Sequence, residues 1–210
     1  MPLDNLHMTA LEVAHSLTSP AIDALVSILL PHLDAILALP QQHRARLLKP
    51  TLSYDSAALA LSFVPADDNN DNNNKNNNDE ACTYHHLRRA LYHATASTGI
   101  AIGSRYVVPS AHLTIARFNT PNVFGVGAGI MDPAPTLDPQ KRRDWIRAIE
   151  SINAWLEAEC WPQTGTGTRL EQIRPGGEWV VGEERGLDFR KGRLWYGGGE
   201  TVRLGEGFVV

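Results

Sequence analysis

The fold of this 210-residue chain is decided by residues 111–118, which read Ala-His-Leu-Thr-Ile-Ala-Arg-Phe. The β-branched and apolar residues of this stretch predict a β-strand. Because strand side chains alternate between two faces, His112 and Thr114 should point to the same side. Arg117 has the opposite parity, so on a regular strand it would face away from them. We expect Arg117 to reach a phosphate only if a twist or bulge redirects it; the other interpretation is a structural ion pair.

The same pattern occurs a second time, as His7-Met8-Thr9, close to the start of the chain. Residues 5–14 predict a short strand, on which His7 and Thr9 again share a face. Two His-x-Thr tripeptides in matching strand contexts indicate two similarly built lobes, each of which offers one motif to a shared cleft. The alternative is a chance pair of half-exposed strand histidines.

Three helices are predicted from their caps and apolar spacing. The first begins at Ser19-Pro20, is kinked or divided by Pro31 and ends at Pro40. The second covers residues 83–98 and stops at Gly99. Asp138-Pro139 begins the third helix. Its apolar stripe is expected to consist of Trp145, Ile149, Ile152 and Leu156.

Further strands are predicted on both sides of these helices. Residues 59–63 alternate in polarity and are stopped by Pro65. From residue 178 onward, short β-type runs separated by Gly-containing turns indicate a meander or a pair of hairpins. Because strands and helices interleave, we predict an α+β fold with a single domain over residues 1–210.

Residues 67–80 are rich in Asn and contain no apolar residue. Such a segment cannot bury apolar surface, so it is predicted to be a disordered insertion.

Composition and charge narrow the class of protein. Hydrophobic residues make up 43% and charged residues 20% of the chain, which are values typical of a globular domain. A net charge of −4 disfavours a protein with a broad basic face for duplex binding. Two distant cysteines disfavour both a disulfide scaffold and a cysteine zinc site. We see no signal peptide or membrane span, so we expect an intracellular protein, cytoplasmic or nuclear.

The chemistry expected of the two motifs follows from their residue types. Cleavage of a phosphodiester needs a base at the attacking oxygen and an acid at the leaving oxygen, and two imidazoles can fill both roles near neutral pH. The hydroxyls of Thr9 and Thr114 are suited to donate hydrogen bonds to the non-bridging phosphate oxygens. The sequence does not decide whether His7 or His112 is the base. No cofactor is expected, since no residue cluster has metal-ligand spacing.

These motifs resemble those of the two-histidine phosphoesterase superfamily, in its RNA ligase/cyclic phosphodiesterase branch. That branch has a second motif of the form His-x-Thr-hydrophobic-x-Arg, which His112, Thr114, Ile115 and Arg117 match. The first motif is looser, with Ala10 where a larger aliphatic residue is usual. The resemblance implies a bilobal α+β fold in which two antiparallel sheets flank a central cleft and the helices lie outside. It also implies hydrolysis of cyclic or 2′–5′ phosphodiesters without a metal, and a further strand before the first motif. Since six residues precede His7, we expect the chain to be short at its N-terminus.

The function is therefore expected to be a metal-independent phosphodiesterase for a nucleotide or an RNA end, acting as a monomer. A non-catalytic nucleotide- or RNA-binding module of the same fold is the alternative. Arg117 is a candidate phosphate ligand. Trp195 and Tyr196 are candidates for stacking on a base, with packing in the core of a hairpin as the other interpretation.

Overall fold

A computed structural model describes residues 2–66, 82–105, 110–118, 138–162, 175–194 and 198–208. The described helices are α1 (Ser19–Leu29), α2 (Leu33–Leu37), α3 (Leu39–Gln42), α4 (Tyr84–Ala96) and α5 (Pro139–Cys160). The strands are β1 (Arg46–Tyr54), β2 (Ala58–Pro65), β3 (Ala111–Arg117), β4 (Glu178–Val180), β5 (Asp188–Lys191) and β6 (Glu200–Leu204). This mixture confirms the α+β class. The predicted insertion at 67–80 lies outside the described residues.

Four of the strands form one antiparallel sheet in the order β3-β2-β1-β4, and β5 pairs with β6 in a separate hairpin. Strand β4 covers only the first part of the outer edge of β1. Farther along that edge, the amide of Asn153 on α5 accepts a hydrogen bond from the Leu52 N–H at 2.7 Å and donates one to the Leu52 carbonyl at 3.0 Å. The amide therefore satisfies main-chain groups that an edge strand would otherwise leave unpaired.

The two faces of the four-stranded sheet differ in character. Leu47 and Ala111 lie on one face and belong to a core that α1, α2 and α4 complete. The helical residues of that core are Leu29, Leu33, Ile36, Leu37, Tyr84, Leu87 and Leu91. On the opposite face, His112 stands beside Ser62, and the Ser62 hydroxyl lies 2.6 Å from that of Ser53. This second face, which we call the polar face, is defined by His112, Thr114, Ser62 and Ser53.

The region of the first predicted helix is interrupted, as Pro31 predicted. A 3-10 turn over Leu30–His32 separates α1 from α2. The expectation that Pro40 ends the helix is wrong, because Pro40 lies in the first turn of α3, where its missing N–H has no intrahelical partner to lose. By length and composition Ser19–Gln42 could cross a membrane, although no membrane span is expected from the sequence. The core helix of a globular protein and a signal sequence near an N-terminus pass the same test.

The N-terminal strand prediction needs correction, and one strand was not predicted. The segment 5–14 is not a regular strand: Leu3–Asn5 form a 3-10 turn, and Met8 makes an isolated bridge. Strand β1 was not predicted, because Lys49-Pro50 interrupts its sequence. The structure accommodates this dipeptide in a register shift, with Lys49 at a φ of 56°.

The C-terminal β-type runs do not form one meander. Strand β4 pairs with β1 in the large sheet, and among the described strands of this region β5 and β6 form the one hairpin. Local turn signals cannot reveal a pairing between β1 and β4, which are far apart in the chain.

Caps at the later helices agree with the sequence. Asp138 accepts hydrogen bonds from the N–H groups of Gln140 and Lys141, at 2.8 and 3.3 Å, and so begins α5. Gly99, at a φ of 90°, follows α4 as predicted. Ile152 is 44% exposed, however, so the predicted stripe of α5 includes one residue that does not belong to it.

Candidate functional site

The two His-x-Thr motifs lie next to each other in the structure. Met8 forms an antiparallel bridge with Leu113, the central residue of the second motif. The first motif therefore lies along the edge of β3 that β2 does not occupy. In this register His7 is opposite Thr114, and Thr9 is opposite His112.

The bridge also determines the side to which the motif side chains point. Met8 packs against the hydrophobic core. Because side chains alternate along extended backbone, His7 and Thr9 point to the other side, the polar face, together with His112 and Thr114. In an antiparallel ladder, directly opposite Cβ atoms are about 4.5–5.5 Å apart and diagonal neighbours about 7–8 Å. Continued by one residue on each side of the Met8–Leu113 bridge, this register makes the two histidines diagonal neighbours.

Each histidine ring is held at Nδ1 by the residue two positions before it. Nδ1 of His7 lies 2.9 Å from the main-chain oxygen of Asn5. Nδ1 of His112 lies 3.0 Å from the hydroxyl of Ser110. A carbonyl oxygen can only accept, so Nδ1 of His7 is the donor and Nε2 remains for proton transfer.

The electrostatic surroundings of His112 favour its neutral form. Burial lowers the pKa of His112, and the positive charges of Arg117 and Arg88 lower it further. A backbone hydrogen bond to Ser110 and the negative charge of Asp55 act in the opposite direction without cancelling the effect. His112 is thus an uncharged imidazole near pH 7, able to accept a proton.

A β-bulge redirects Arg117. Ala60 pairs with Thr114 and Ala58 with Arg117, so β3 contains one more residue than β2 between these pairs. Ala58 and Ala60 lie on the same face of β2, and their partners therefore share that face as well. Arg117 accordingly belongs to the polar face, although a regular strand would have turned it away. Its effect on the pKa values of both His112 and Asp55 agrees with this placement.

Four residues near the motifs were not predicted as site residues: Asp55, Tyr84, Arg88 and Ser110. Tyr84 and Arg88 lie on α4, where the Arg88 guanidinium carbon is 5.8 Å from the centre of the Tyr84 ring. The Tyr84 hydroxyl in turn donates to the main-chain oxygen of Thr9 at 3.5 Å. No pattern in the sequence relates α4 to the first motif. Ser110, by contrast, has the strand parity of His112 and Thr114, and that signal was available.

Asp55 lies at the turn between β1 and β2. Its carboxylate accepts hydrogen bonds from the N–H groups of Ala57 and Ala58, at 2.7 and 2.8 Å. These two bonds are the main reason why the pKa of Asp55 is lowered, and the charges of Arg117 and His112 contribute. The carboxylate is therefore ionised and anchors the turn that pairs with the Arg117 end of β3.

The remaining site predictions have different outcomes. Trp195 and Tyr196 lie outside the described residues. Within the described residues, no group of three His, Cys, Asp or Glu side chains is placed to hold a metal ion. His86 acts in a helix cap, because its Nδ1 accepts a hydrogen bond from the Thr83 N–H at 3.1 Å.

Comparison of the chain with protein-family models, curated proteins and solved structures gave no significant match. Function is therefore inferred from the two motifs and from the geometry around them.

Proposed function

We propose that this protein is a metal-independent phosphodiesterase that acts on a cyclic phosphate or a 2′–5′ phosphodiester of a nucleotide or RNA end. The observation that carries the proposal is the Met8–Leu113 bridge, which brings together two motifs from distant parts of the chain. Packing alone does not account for two histidines and two threonines on the same side of adjacent segments. General acid–base catalysis needs such a pair of proton-transfer groups around one phosphate.

In the proposed mechanism His112 is the base and His7 the acid during hydrolysis. The lowered pKa of His112 supports this assignment, since a base must be neutral before it accepts a proton. Nε2 of His112 takes a proton from water, the water oxygen bonds to phosphorus, and the ester bond to the leaving oxygen breaks. His7 gives its Nε2 proton to that oxygen. The roles exchange when the reaction runs in reverse.

The threonines and Arg117 hold the phosphate. The hydroxyls of Thr9 and Thr114 donate to the non-bridging oxygens, whose negative charge increases in the transition state. Arg117 adds a positive charge on the same face, where the bulge in β3 directs it.

We further propose that the fold is bilobal. The four-stranded sheet would form one lobe. The hairpin of β5 and β6, held to the N-terminal helices by the Lys191–Asp23 and Arg203–Asp34 ion pairs at 3.0 and 3.1 Å, would belong to the other. Because Phe189 and Val202 of the hairpin pack against the core, the polar face with its two motifs would lie on the side of the sheet away from the hairpin.

A binding module without turnover is the second candidate function. The exposed position of His7 favours it, and so does the sparse pairing of its motif, which makes one isolated bridge among the described residues. A loosely held acid would bind a phosphate without aligning it for cleavage.

Hydrolysis of nucleoside 2′,3′-cyclic phosphates, and of a short RNA ending in such a phosphate, separates these functions. The chain should cleave at least one of them with EDTA present, and His112→Ala should abolish the activity. His85→Ala is the matched control, because His85 is an exposed histidine of α4. Binding of the substrates without cleavage would favour the second candidate. Full activity of His112→Ala, or activity that EDTA removes and a divalent metal restores, would contradict the two-histidine mechanism.

A further inference from the structure

We infer that Ser110 is a positioning residue for His112: it holds the Nδ1 side of the imidazole so that Nε2 faces the phosphate site. The hydrogen bond is a property of the chain itself. Its consequence for catalysis rests on the proposed function above.

Ser110 is placed for this role by strand parity as well as by distance. Its hydroxyl oxygen lies 3.0 Å from Nδ1 of His112, within the range of an ordinary hydrogen bond. Because the two residues are two positions apart on extended backbone, their side chains project to the same face. A neutral imidazole has one donor and one acceptor nitrogen, so the partner of Nδ1 decides the role of Nε2.

The direction of this hydrogen bond is indicated by the Ser110 main chain, and the first motif offers a parallel. Nδ1 of His7 lies 2.9 Å from a carbonyl oxygen, which can accept only, so Nδ1 carries the proton. In the second motif the Ser110 main chain also hydrogen bonds to His112 and raises its pKa, which an oxygen accepting from Nδ1–H would do. With Nδ1 as the donor, the Ser110 hydroxyl is an acceptor. Nε2 of neutral His112 then carries the lone pair.

The two motifs differ in one respect that makes the inference testable. The carbonyl that holds His7 belongs to the main chain and is present whatever side chain residue 5 carries. One of the oxygens that hold His112 belongs to a side chain, so a substitution can remove it. Ser110→Ala removes the hydroxyl, and Ser110→Thr keeps a hydroxyl at the same branch point.

The experiment is an NMR titration of His112 in the full chain, in wild type and in the variants Ser110→Ala and Ser110→Thr. The His112 signals are assigned by their absence in His112→Asn. Loss of an acceptor beside Nδ1–H should lower the titration midpoint of His112 by about 0.5 pH unit and reduce the fraction of neutral rings with the proton on Nδ1. Ser110→Thr should restore both values.

Ser62→Ala is the matched control. Ser62 is opposite His112 in the sheet, but its hydroxyl pairs with that of Ser53 at 2.6 Å. The His112 midpoint should not change in this variant. An unchanged midpoint and tautomer in Ser110→Ala would overturn the inference, and so would a raised midpoint, which would mean that the hydroxyl donates to Nδ1.

The catalytic consequence has a separate measurement. With a cyclic-phosphate substrate, kcat should fall about 3- to 10-fold in Ser110→Ala with KM little changed, and Ser110→Thr should recover it. The limb of the pH profile due to His112 should move to lower pH in Ser110→Ala. A midpoint that shifts in the absence of any turnover would uphold the hydrogen bond and count against the proposed function. Turnover with unaltered kcat and pH profile would overturn the positioning role.

Discussion

The two His-x-Thr motifs have the same sequence pattern but are held in different ways. The second lies in β3, which pairs with β2 along most of its length, and its histidine is half-buried. The first lies along the opposite edge of β3, makes one isolated bridge, and has an exposed histidine. A matching sequence therefore does not imply matching rigidity. On the proposed function, the second motif would be the fixed part of the site and the first the part that substrate binding orders.

The largest expected effect comes from removing either imidazole. His7→Ala and His112→Ala should each lower kcat/KM on a cyclic-phosphate substrate by about 10²–10⁴-fold, the usual contribution of a positioned proton-transfer group. Equal losses of kcat/KM in the two variants would mean that the difference in rigidity disappears once substrate is bound. The losses are measured by steady-state kinetics, with His85→Ala as the control. A loss confined to His112→Ala would show that His7 takes no part.

Removing one threonine hydroxyl should cost somewhat less. We expect Thr9→Ala and Thr114→Ala to lower kcat by about 10²–10³-fold, as the loss of one donor to a developing charge does. Thr9→Ser and Thr114→Ser, which keep the hydroxyl, should retain most of the activity. If the serine variants are as impaired as the alanine variants, the threonines act through their methyl groups and packing instead.

The difference in rigidity itself can be measured without substrate. The amide hydrogens of His112, Leu113 and Thr114 that bond within the sheet should exchange with solvent at least about 10-fold more slowly than those of His7 and Thr9. A nucleotide product bound to the site should reduce the difference by protecting the first motif. Similar exchange rates in the unliganded chain would show that the comparison between the two motifs is wrong.

The smallest expected effect concerns the charge on His112. Its pKa should lie below the ordinary value for histidine, and Arg117→Gln should raise it, because a positive charge that opposes protonation is removed. Arg143→Gln, a change on an exposed part of α5, is the control. NMR titration decides whether Arg117 acts on His112 from the same face. An unchanged pKa of His112 in Arg117→Gln would mean that Arg117 lies too far from the His112 ring to affect its protonation.

The same shift predicts the sign of one contribution to stability. Because the pKa of His112 is lower in the folded chain, the unfolded chain binds more protons as the pH falls below the ordinary histidine value. Protonation therefore destabilises the fold, and the loss is complete below the folded-state pKa. In urea unfolding, the free energy of unfolding of the wild type should fall relative to that of His112→Gln as the pH is lowered through that interval.

Local patterns predicted much of the fold and the proposed site, whereas long-range pairing could not be predicted. The α+β class, β2, β3, α4 and the Asp138 cap follow from alternation, helical spacing and cap residues. Strand β1 could not be predicted, since Lys49-Pro50 breaks its alternation and only pairing on both sides compensates for that. The β1–β4 pairing joins segments too far apart for any local signal.

Arg117 shows the same limit within the site. Its sequence position indicates the wrong face, because the bulge opposite β2 inserts an extra residue before it. The residues of α4 near the site, Tyr84 and Arg88, are brought there by packing of the helix against the core. Strand parity, on the other hand, was sufficient to relate His7 to Thr9 and His112 to Thr114.

The central claim is that both histidines act on one phosphate, and binding of a nucleoside 2′-monophosphate tests it most directly. The ring C–H signals of His7 and His112 would be followed by NMR as this product-like nucleotide is added to the full chain. Our account predicts that both signals shift together, with one Kd and a stoichiometry of one nucleotide per chain. A shift of only one of the two signals, or two distinct midpoints, would show that the motifs do not share a phosphate and would contradict the account.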